Sequence, residues 1–355
     1  MLSISTIANA TRFVNALSSY PPSPCTLPRS SMSPQTISFP AFSTVTHPTR
    51  NFQVKMSSDS LPPPENRIVV GCGTVTVDYL AAVAAYPKPD DKIRTTSLKV
   101  QGGGNAGNAL TCVARLGLKP RLISKVADDA QGKGILGELE ADGVDTSPFA
   151  VSEGGNSPFS YIIVDNQMKT RTSIHTPGYP PMIPDDLSRA SLLSALDGAS
   201  IVYFDGRVHE TASIVAQEAV RKRIPILIDA ERVREGLDDL LKLADYAICS
   251  AKFPQSVTRL RANGIGTVCG RLFLGTAEKI PPSELIDTTG AGDAFIGAVV
   301  YALCANMPPE TMLPFASRVA AANCRALGAR TGLPHRSDPR LASFLHQSSQ
   351  VVVTS

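Results

Sequence analysis

Asp287-Thr288-Thr289-Gly290-Ala291-Gly292-Asp293 leads straight into Ala294–Leu303 (AFIGAVVYAL), an apolar run long enough for a buried helix. Gly290 and Gly292 allow the backbone to turn so that consecutive N–H groups point one way, at the positive end of that helix. Such a turn is an anion pocket. An Asp at its edge can accept a hydroxyl proton while the pocket holds a phosphoryl group. The plainer reading is a Gly-rich turn with Asp as an N-cap. The full seven-residue run ahead of an apolar helix favours the chemical one. It is not a Walker A loop, since no GK[ST] follows.

Outward from this loop, the chain reads as strands alternating with helices. Arg67–Cys72 (RIVVGC), Arg121–Val126, Ile201–Phe204, Ile224–Asp229 and Tyr246–Cys249 are short strands of the buried type. Helical spacing covers Ala106–Leu116, Gly132–Asp142, Asp186–Leu196 and Glu210–Lys222, with Gly117 and Gly143 stopping the first two. Ser160–Val164 and Thr170–His175 form a hairpin around Asp165-Asn166, and Ile93–Val100 reads as an exposed or edge strand. This alternation predicts an α/β fold with a mostly parallel sheet covered on both faces. Ligands then bind beyond the carboxyl ends of the strands, where Gly71–Gly73, Asp205–Arg207 and Asp229–Glu231 fall.

Gln101-Gly-Gly-Gly-Asn105-Ala-Gly-Asn108 opens the first of those helices. Asn105 and Asn108, three apart, share a face of its first turn and suit the hydroxyls of a polyol; an Asn cap after a flexible loop is the alternative. Asp78, set in the apolar stretch Val75–Ala85, needs a partner, which could be two vicinal hydroxyls, a helix N-terminus or a salt bridge. Arg207 at a strand end suits a phosphate or sugar, though surface arginines are common. Asp90 and Asp91 lie in a charged turn of the solvated kind. Gly71-Cys-Gly73 lacks the third glycine and the distal acid of a dinucleotide loop.

Composition narrows the classes further. The 355 residues are 43% hydrophobic and 18% charged, with 26 Gly, 28 Pro and no Trp, enough for one large domain or two modest ones. A net charge of +3 without a basic block argues against nucleic acid. Seven scattered Cys without a CxxC pair argue against a disulfide framework, and five His without ligand spacing argue against structural zinc. The longest apolar runs are too short to span a bilayer. Residues 1–58 hold no acid and carry Arg12, Arg29, Arg50 and Lys55 among many Ser, Thr and Pro. They read as a disordered transit peptide, plastid before mitochondrion, with Met56 as an internal start that would leave a cytoplasmic form; a plain disordered tail is the alternative. Residues 59–66 read as a linker, 67–340 as the folded domain and 341–355 as a tail.

Taken in order, these motifs resemble the ribokinase-like (pfkB-type) carbohydrate kinases, and Gly-Gly-Asn-Ala-Gly-Asn with Val-Asp-Tyr…Tyr-Pro-Lys-Pro-Asp resembles the ketohexokinase branch. The resemblance covers roughly residues 67–340. It implies a three-layer α/β/α domain with a small β-sheet lid, near 93–101 and 158–176, through which a homodimer could form. It implies an ATP-dependent sugar kinase using Mg2+, with K+ near the loop that begins at Asp287, the metal-site residue. It makes Asp293 the catalytic base and Gly290, Ala291 and Gly292 the anion hole. Asp78, Asp91, Gly104, Asn105, Asn108 and Arg207 would hold the sugar. Thr289, Gly292, Asn323 and Gly328 would contact the nucleotide, with Ala320–Gly332 beside the adenine. The chain departs from the family after Cys249: Ser250-Ala-Lys-Phe253 replaces Asn-x-x-Glu, Asp287 follows Ser250 by only 37 positions, and Ser256–Gly270 reads as neither helix nor strand. A kinase-like binding protein with impaired catalysis is therefore the second expectation.

Overall fold

Alternation of buried side chains along each strand splits the core into two apolar layers. On β10 (Ala199–Phe204), Ile201 and Tyr203 face one layer while Val202 and Phe204 face the other. The same division holds on β2 (Ile68–Cys72), β11 (Ile226–Ala230) and β12 (Tyr246–Ser250). A strand buried on both sides must be apolar at every position, which is why these segments read as continuous apolar runs. One layer is built on α1 (Asn105–Arg115), α2 (Ala130–Ala141), α6 (Ala291–Cys304) and α7 (Pro309–Asn323). The opposite layer is built on α3 (Arg189–Ala195), α4 (His209–Lys222) and α5 (Leu237–Leu243). The result is a three-layer α/β/α sandwich. This computed structural model describes residues 2–7, 66–250 and 271–345, all within one compact unit. No helix among them is long and apolar enough to cross a membrane.

The central sheet has seven parallel strands. With β1 (Leu2–Ile7), β5 (Lys119–Ile123) and β13 (Arg271–Thr276), its order is β13-β1-β12-β11-β10-β2-β5. The position of β1 departs from the expectation that all of residues 1–58 lie outside the fold. Its backbone pairs on both sides, Leu2 with Tyr246 of β12 and with Arg271 of β13. Between β12 and β13, on either side of the shortened 250–287 region's first part, the sheet is thus completed by a strand from the start of the chain. β-Branched residues are frequent in LSISTI, as a pleated central strand favours. Residues 8–65 and the stretch Ser256–Gly270 lie outside the described residues.

A second sheet has the order β4-β3-β8-β9 and is the expected lid. β8 (Phe159–Asp165) and β9 (Thr170–Thr176) form the foreseen hairpin, whose turn is closed by the Asp165 side chain accepting from the N–H groups of Gln167 and Met168. β4 runs Ser97–Gly103 rather than Ile93–Val100, and its partner β3 (Thr76–Val83) was not foreseen as a strand. The predicted strand Arg121–Val126 divides at Ser124 into β5 and β6 (Lys125–Ala127), and β6 pairs with β7 (Ala150–Ser152). Predicted helix Asp186–Leu196 starts later, at Arg189, because Ser188 caps it and Pro184–Asp186 is a separate 3-10 turn. The start of the expected tail also belongs to the core. Leu341 is fully buried, and Phe344, on α8 (Ala342–Leu345), packs edge-on against Phe315 at 5.7 Å.

Because β1 carries two backbone ladders, an Ile4→Pro substitution, which removes one N–H, is expected to cost about 1–3 kcal/mol. Deleting residues 2–7 should lower the thermal midpoint further. Unchanged unfolding curves for both variants would place β1 outside the stable sheet.

Candidate active site

The loop before α6 is held by its first residue. One Asp287 oxygen accepts from the Thr289 N–H (2.9 Å) and hydroxyl (2.7 Å), and the other accepts from the Gly328 N–H at 2.9 Å. Gly290 caps α6 in the left-handed region at φ 72°, and a Cβ there would lie 2.7 Å from the Ala329 Cα. Only glycine accepts both constraints. Asn323, fully buried at the end of α7, donates to the Thr289 carbonyl at 3.0 Å. Asp287, Thr289, Asn323 and Gly328, expected at the metal and the nucleotide, therefore brace the loop on one another in this structure. Of the three N–H groups expected in the anion hole, that of Ala291 contacts the Thr288 carbonyl at 3.3 Å. Gly292 borders open space, with no atom within 4 Å of an added Cβ. The first turn of α6 is thus approachable by an anion.

Asp293, on that first turn, accepts a 2.8 Å hydrogen bond from the Asn108 amide of α1. The two helices meet because Gly297 carries no side chain. A Cβ there would stand 2.6 Å from both the Ala109 carbonyl oxygen and the Cys112 Cβ. Asp293 keeps a partly exposed side chain, and the protein packed around it pushes its carboxyl up to about 6, although Asn108, Arg207 and Arg171 favour the charged form. A carboxylate near the working pH is poised to take a proton.

Arg207 lies beyond β10, with its guanidinium 3.8 Å from both Asp205 and Glu231. Burial opposes its charge, but Asp205, Glu231, Asp293 and Asp229 outweigh that and hold it above the ordinary arginine range. Asp205 itself reaches across to β2's exit, accepting from the Thr74 N–H (2.7 Å) and hydroxyl (2.9 Å). Gly73 is required there, since its Cβ would overlap the Asp205 carboxyl at 2.3 Å. Asp229, buried at the end of β11, is pushed well above the carboxylate range by burial and by Asp293, Glu231 and Asp205. The three strand ends singled out in the sequence thus converge.

The lid contributes a polar row that sequence reasoning found only at Asp78. Across the sheet, Asp78 is in register with Gln101 on β4 and Ser160 on β8, and Ser160 with His175 on β9. Asp78 accepts from Thr76 at 2.8 Å, and the Ser160 hydroxyl lies 3.3 Å from His175 Nδ1. Burial raises the Asp78 carboxyl and lowers His175. The signal in the sequence was the strand alternation itself: once Thr76–Val83 is a strand, Asp78, Leu80 and Ala82 share one face. Gly104, at φ 83°, brings α1 against Val75 and Thr74, and Asn105 opens the helix. Asn108 is buried, and its amide NH2 donates to Asp293. Asp91 is not brought to the site. It is exposed in the β3–β4 turn, accepting from the Lys88 N–H at 2.9 Å, at the far end of the hairpin from Asp78. Arg171 on β9, also missed, joins lid to loop by donating to the Thr288 hydroxyl at 3.0 Å.

Comparison with known proteins agrees with this architecture. The profile of the pfkB family carbohydrate kinases matches residues 68–252 and 272–336. Ribokinase of Bacillus subtilis is 27% identical over 292 residues, spanning 75% of this chain and 96% of its own. Ketohexokinase of Mus musculus is 26% identical over 295 residues, spanning 74% and 98%. Among solved structures, Arabidopsis thaliana ribokinase complexed with ribose and ATP superposes with a TM-score of 0.61 at 20% identity, covering 79% of this chain and 99% of that one. Thermotoga maritima ribokinase superposes at 0.64 with 19% identity, covering 79% and 99%. At that identity the structural likeness speaks for the fold, and the matched profile speaks for the family: the chain is a member of the pfkB carbohydrate kinases, phosphotransferases that use an alcohol group as acceptor.

Proposed function

We propose that this chain phosphorylates a hydroxyl of a small sugar or sugar-like alcohol with ATP, and that Asp293 is the base. The observation that carries the reading is Asp293 itself, a carboxylate held near pKa 6 on the first turn of α6, beside the open backbone at Gly292. The acceptor O–H gives its proton to Asp293 as its oxygen bonds to the γ-phosphorus and the bond to the β-phosphate oxygen breaks. ADP leaves, and the product carries the phosphoryl group. The N-terminus of α6 and the cations Arg207 and Arg171 suit the charge on the transferred group. Positioning and charge complementarity provide most of the effect in such reactions. The polar row of Asp78, Ser160 and His175 on the lid suits an acceptor with several hydroxyls.

Mg2+ is the ion expected with ATP. Among the described residues no group of three or more His, Cys, Asp or Glu stands together as a metal site. Mg2+ keeps waters and binds mainly through phosphates with few protein ligands. A kinase-like binding protein is the competing reading, motivated by the interruption of the family match between residues 252 and 272. Tight ATP–Mg2+ binding by calorimetry would dismiss it. A homodimer through the lid is favoured by a row of exposed apolar side chains across one face, Val100, Tyr161 and Ile174, each more than half exposed. Tyr161→Glu should then convert a dimer to a monomer in sedimentation, whereas a wild-type monomer would remove the idea.

Asp293→Asn is expected to lower ATP-dependent sugar phosphorylation by about 10²–10⁴-fold. Equal rates in wild type and variant would exclude Asp293 as the base. Since only the deprotonated form accepts a proton, kcat/KM should fall as pH drops below about 6. An ascending limb near 4 would mean that the carboxylate is not shielded as described. The same shift acts on stability with the opposite sense: a carboxyl raised in the folded state favours folding below its pKa and loses that contribution as pH rises through about 6.

A further inference from the structure

Arg330 is a fully buried arginine whose guanidinium lies directly beneath the glycine loop. Its Nε donates to the Asn108 side-chain oxygen at 2.9 Å and its Nη2 donates to the Gly103 carbonyl at 2.9 Å. Nη1 lies 3.7 Å from Glu138, whose other oxygen accepts the Gly102 N–H at 2.6 Å. The cavity that admits this group exists because two positions lack a side chain. A Cβ on Gly102 would come within 2.3 Å of Nη1, and one on Gly107 within 2.5 Å of Nη2. The glycines of this loop therefore do more than let the backbone approach a ligand. Two of them form a notch the size of a guanidinium.

The consequence for Asn108 follows from donor and acceptor chemistry. Arginine can only donate, so the Asn108 amide must present its oxygen to Arg330. Its NH2 is then turned the other way, onto Asp293, where it donates at 2.8 Å. Without Arg330 the amide could rotate and set its oxygen against the carboxylate.

Building on Asp293 as the base, we propose that Arg330 is a positioning residue for it: lodged in the notch left by Gly102 and Gly107, its guanidinium fixes the Asn108 amide so that the NH2 faces Asp293 and supports its deprotonated form. The other groups that bear on Asp293 are Arg207 beyond β10, Arg171 on β9, Tyr203 on β10, Cys112 on α1, and Asp229 and Glu231 at the end of β11. The contacts of Arg330 run instead to Asn108, Gly103 and Glu138. A change at position 330 therefore reaches Asp293 through Asn108, and by a weaker long-range field.

The test is the pH profile of sugar phosphorylation by Arg330→Met and Arg330→Lys, with Gly107→Ala as an independent probe that pushes the guanidinium aside without removing its charge. Arg330→Met and Gly107→Ala should move the ascending limb of kcat/KM up by about one pH unit, a tenfold loss below the limb. Activity should return to within about threefold of wild type above pH 8.5, with a smaller displacement in Arg330→Lys. A loss of rate that is uniform across pH, with the limb unmoved, would overturn the positioning role. So would loss of the folded state, by circular dichroism, in both Arg330 variants, since the residue would then serve stability alone. Asp293→Asn separates the two layers of inference: if it retains full activity the base assignment fails, whereas an inactive Asp293→Asn beside an unmoved limb in the Arg330 variants refutes only the role of Arg330.

Discussion

The hydrogen bond from Asn108 to Asp293 joins two helices whose sequences lie 185 residues apart. It can form only because α1 and α6 approach closely at Gly297, where a methyl group would strike the Ala109 carbonyl. Apolar burial drives that approach. Phe295, Ile296, Val299 and Val300 of α6 are each at most 4% exposed, and such side chains contribute roughly 1.5–3 kcal/mol apiece on burial. Hydrophobic packing is not directional, so it cannot aim a carboxylate. The glycine contact sets the distance between the helices, and the amide sets the orientation.

A carboxylate on the first turn of a helix is subject to two opposed effects. The helix N-terminus and the cations Arg207 and Arg171 favour its charge, while exclusion of water opposes it. Exclusion prevails and leaves Asp293 near 6. The same tension recurs around the cleft, at Asp229 and at Asp78, both raised by burial. Acids are concentrated where strands end and water is excluded, so substrate hydroxyls and cations are the partners that would relieve their desolvation.

The central sheet shows how a fold absorbs a missing piece. Between β12 and β13 the family match is interrupted, and a strand drawn from the start of the chain occupies the position between them. A parallel sheet with one open internal edge would leave two rows of backbone donors and acceptors unpaired. Any short segment of strand-forming composition that can reach the gap gains both ladders at once. That gain is the physical reason a segment remote in sequence can be recruited into the sheet.

Local signals located most of the strands and helices between residues 67 and 249, because buried strands and one-sided helices impose distinct periods on apolar residues; β3, α5, α7 and β13 were not read from them. They also singled out Asp293 and the loop before it, where a Gly-rich turn and an apolar helix adjoin in the chain, Asn108 by its spacing from Asn105, Asp78 as a carboxylate in an apolar stretch, and Arg207 by its place at a strand end. Boundaries followed less well: α3 begins later than its pattern because Ser188 caps it, and β4 is displaced because its partner β3 dictates the register. Tertiary structure alone decided the rest. Asp91 resembles a sugar ligand by its neighbours in sequence, yet the hairpin carries it away from Asp78. Asp287, Thr289, Asn323 and Gly328 turn inward to brace one another, an outcome set by a contact between Asp287 and Gly328, 41 residues apart. Gln101, Ser160 and His175 join Asp78 only through strand register, and Arg330 meets Asn108 only across 222 residues. Periodicity is written in neighbouring residues, but register and helix approach depend on which surfaces pack together, and that is a property of the whole chain.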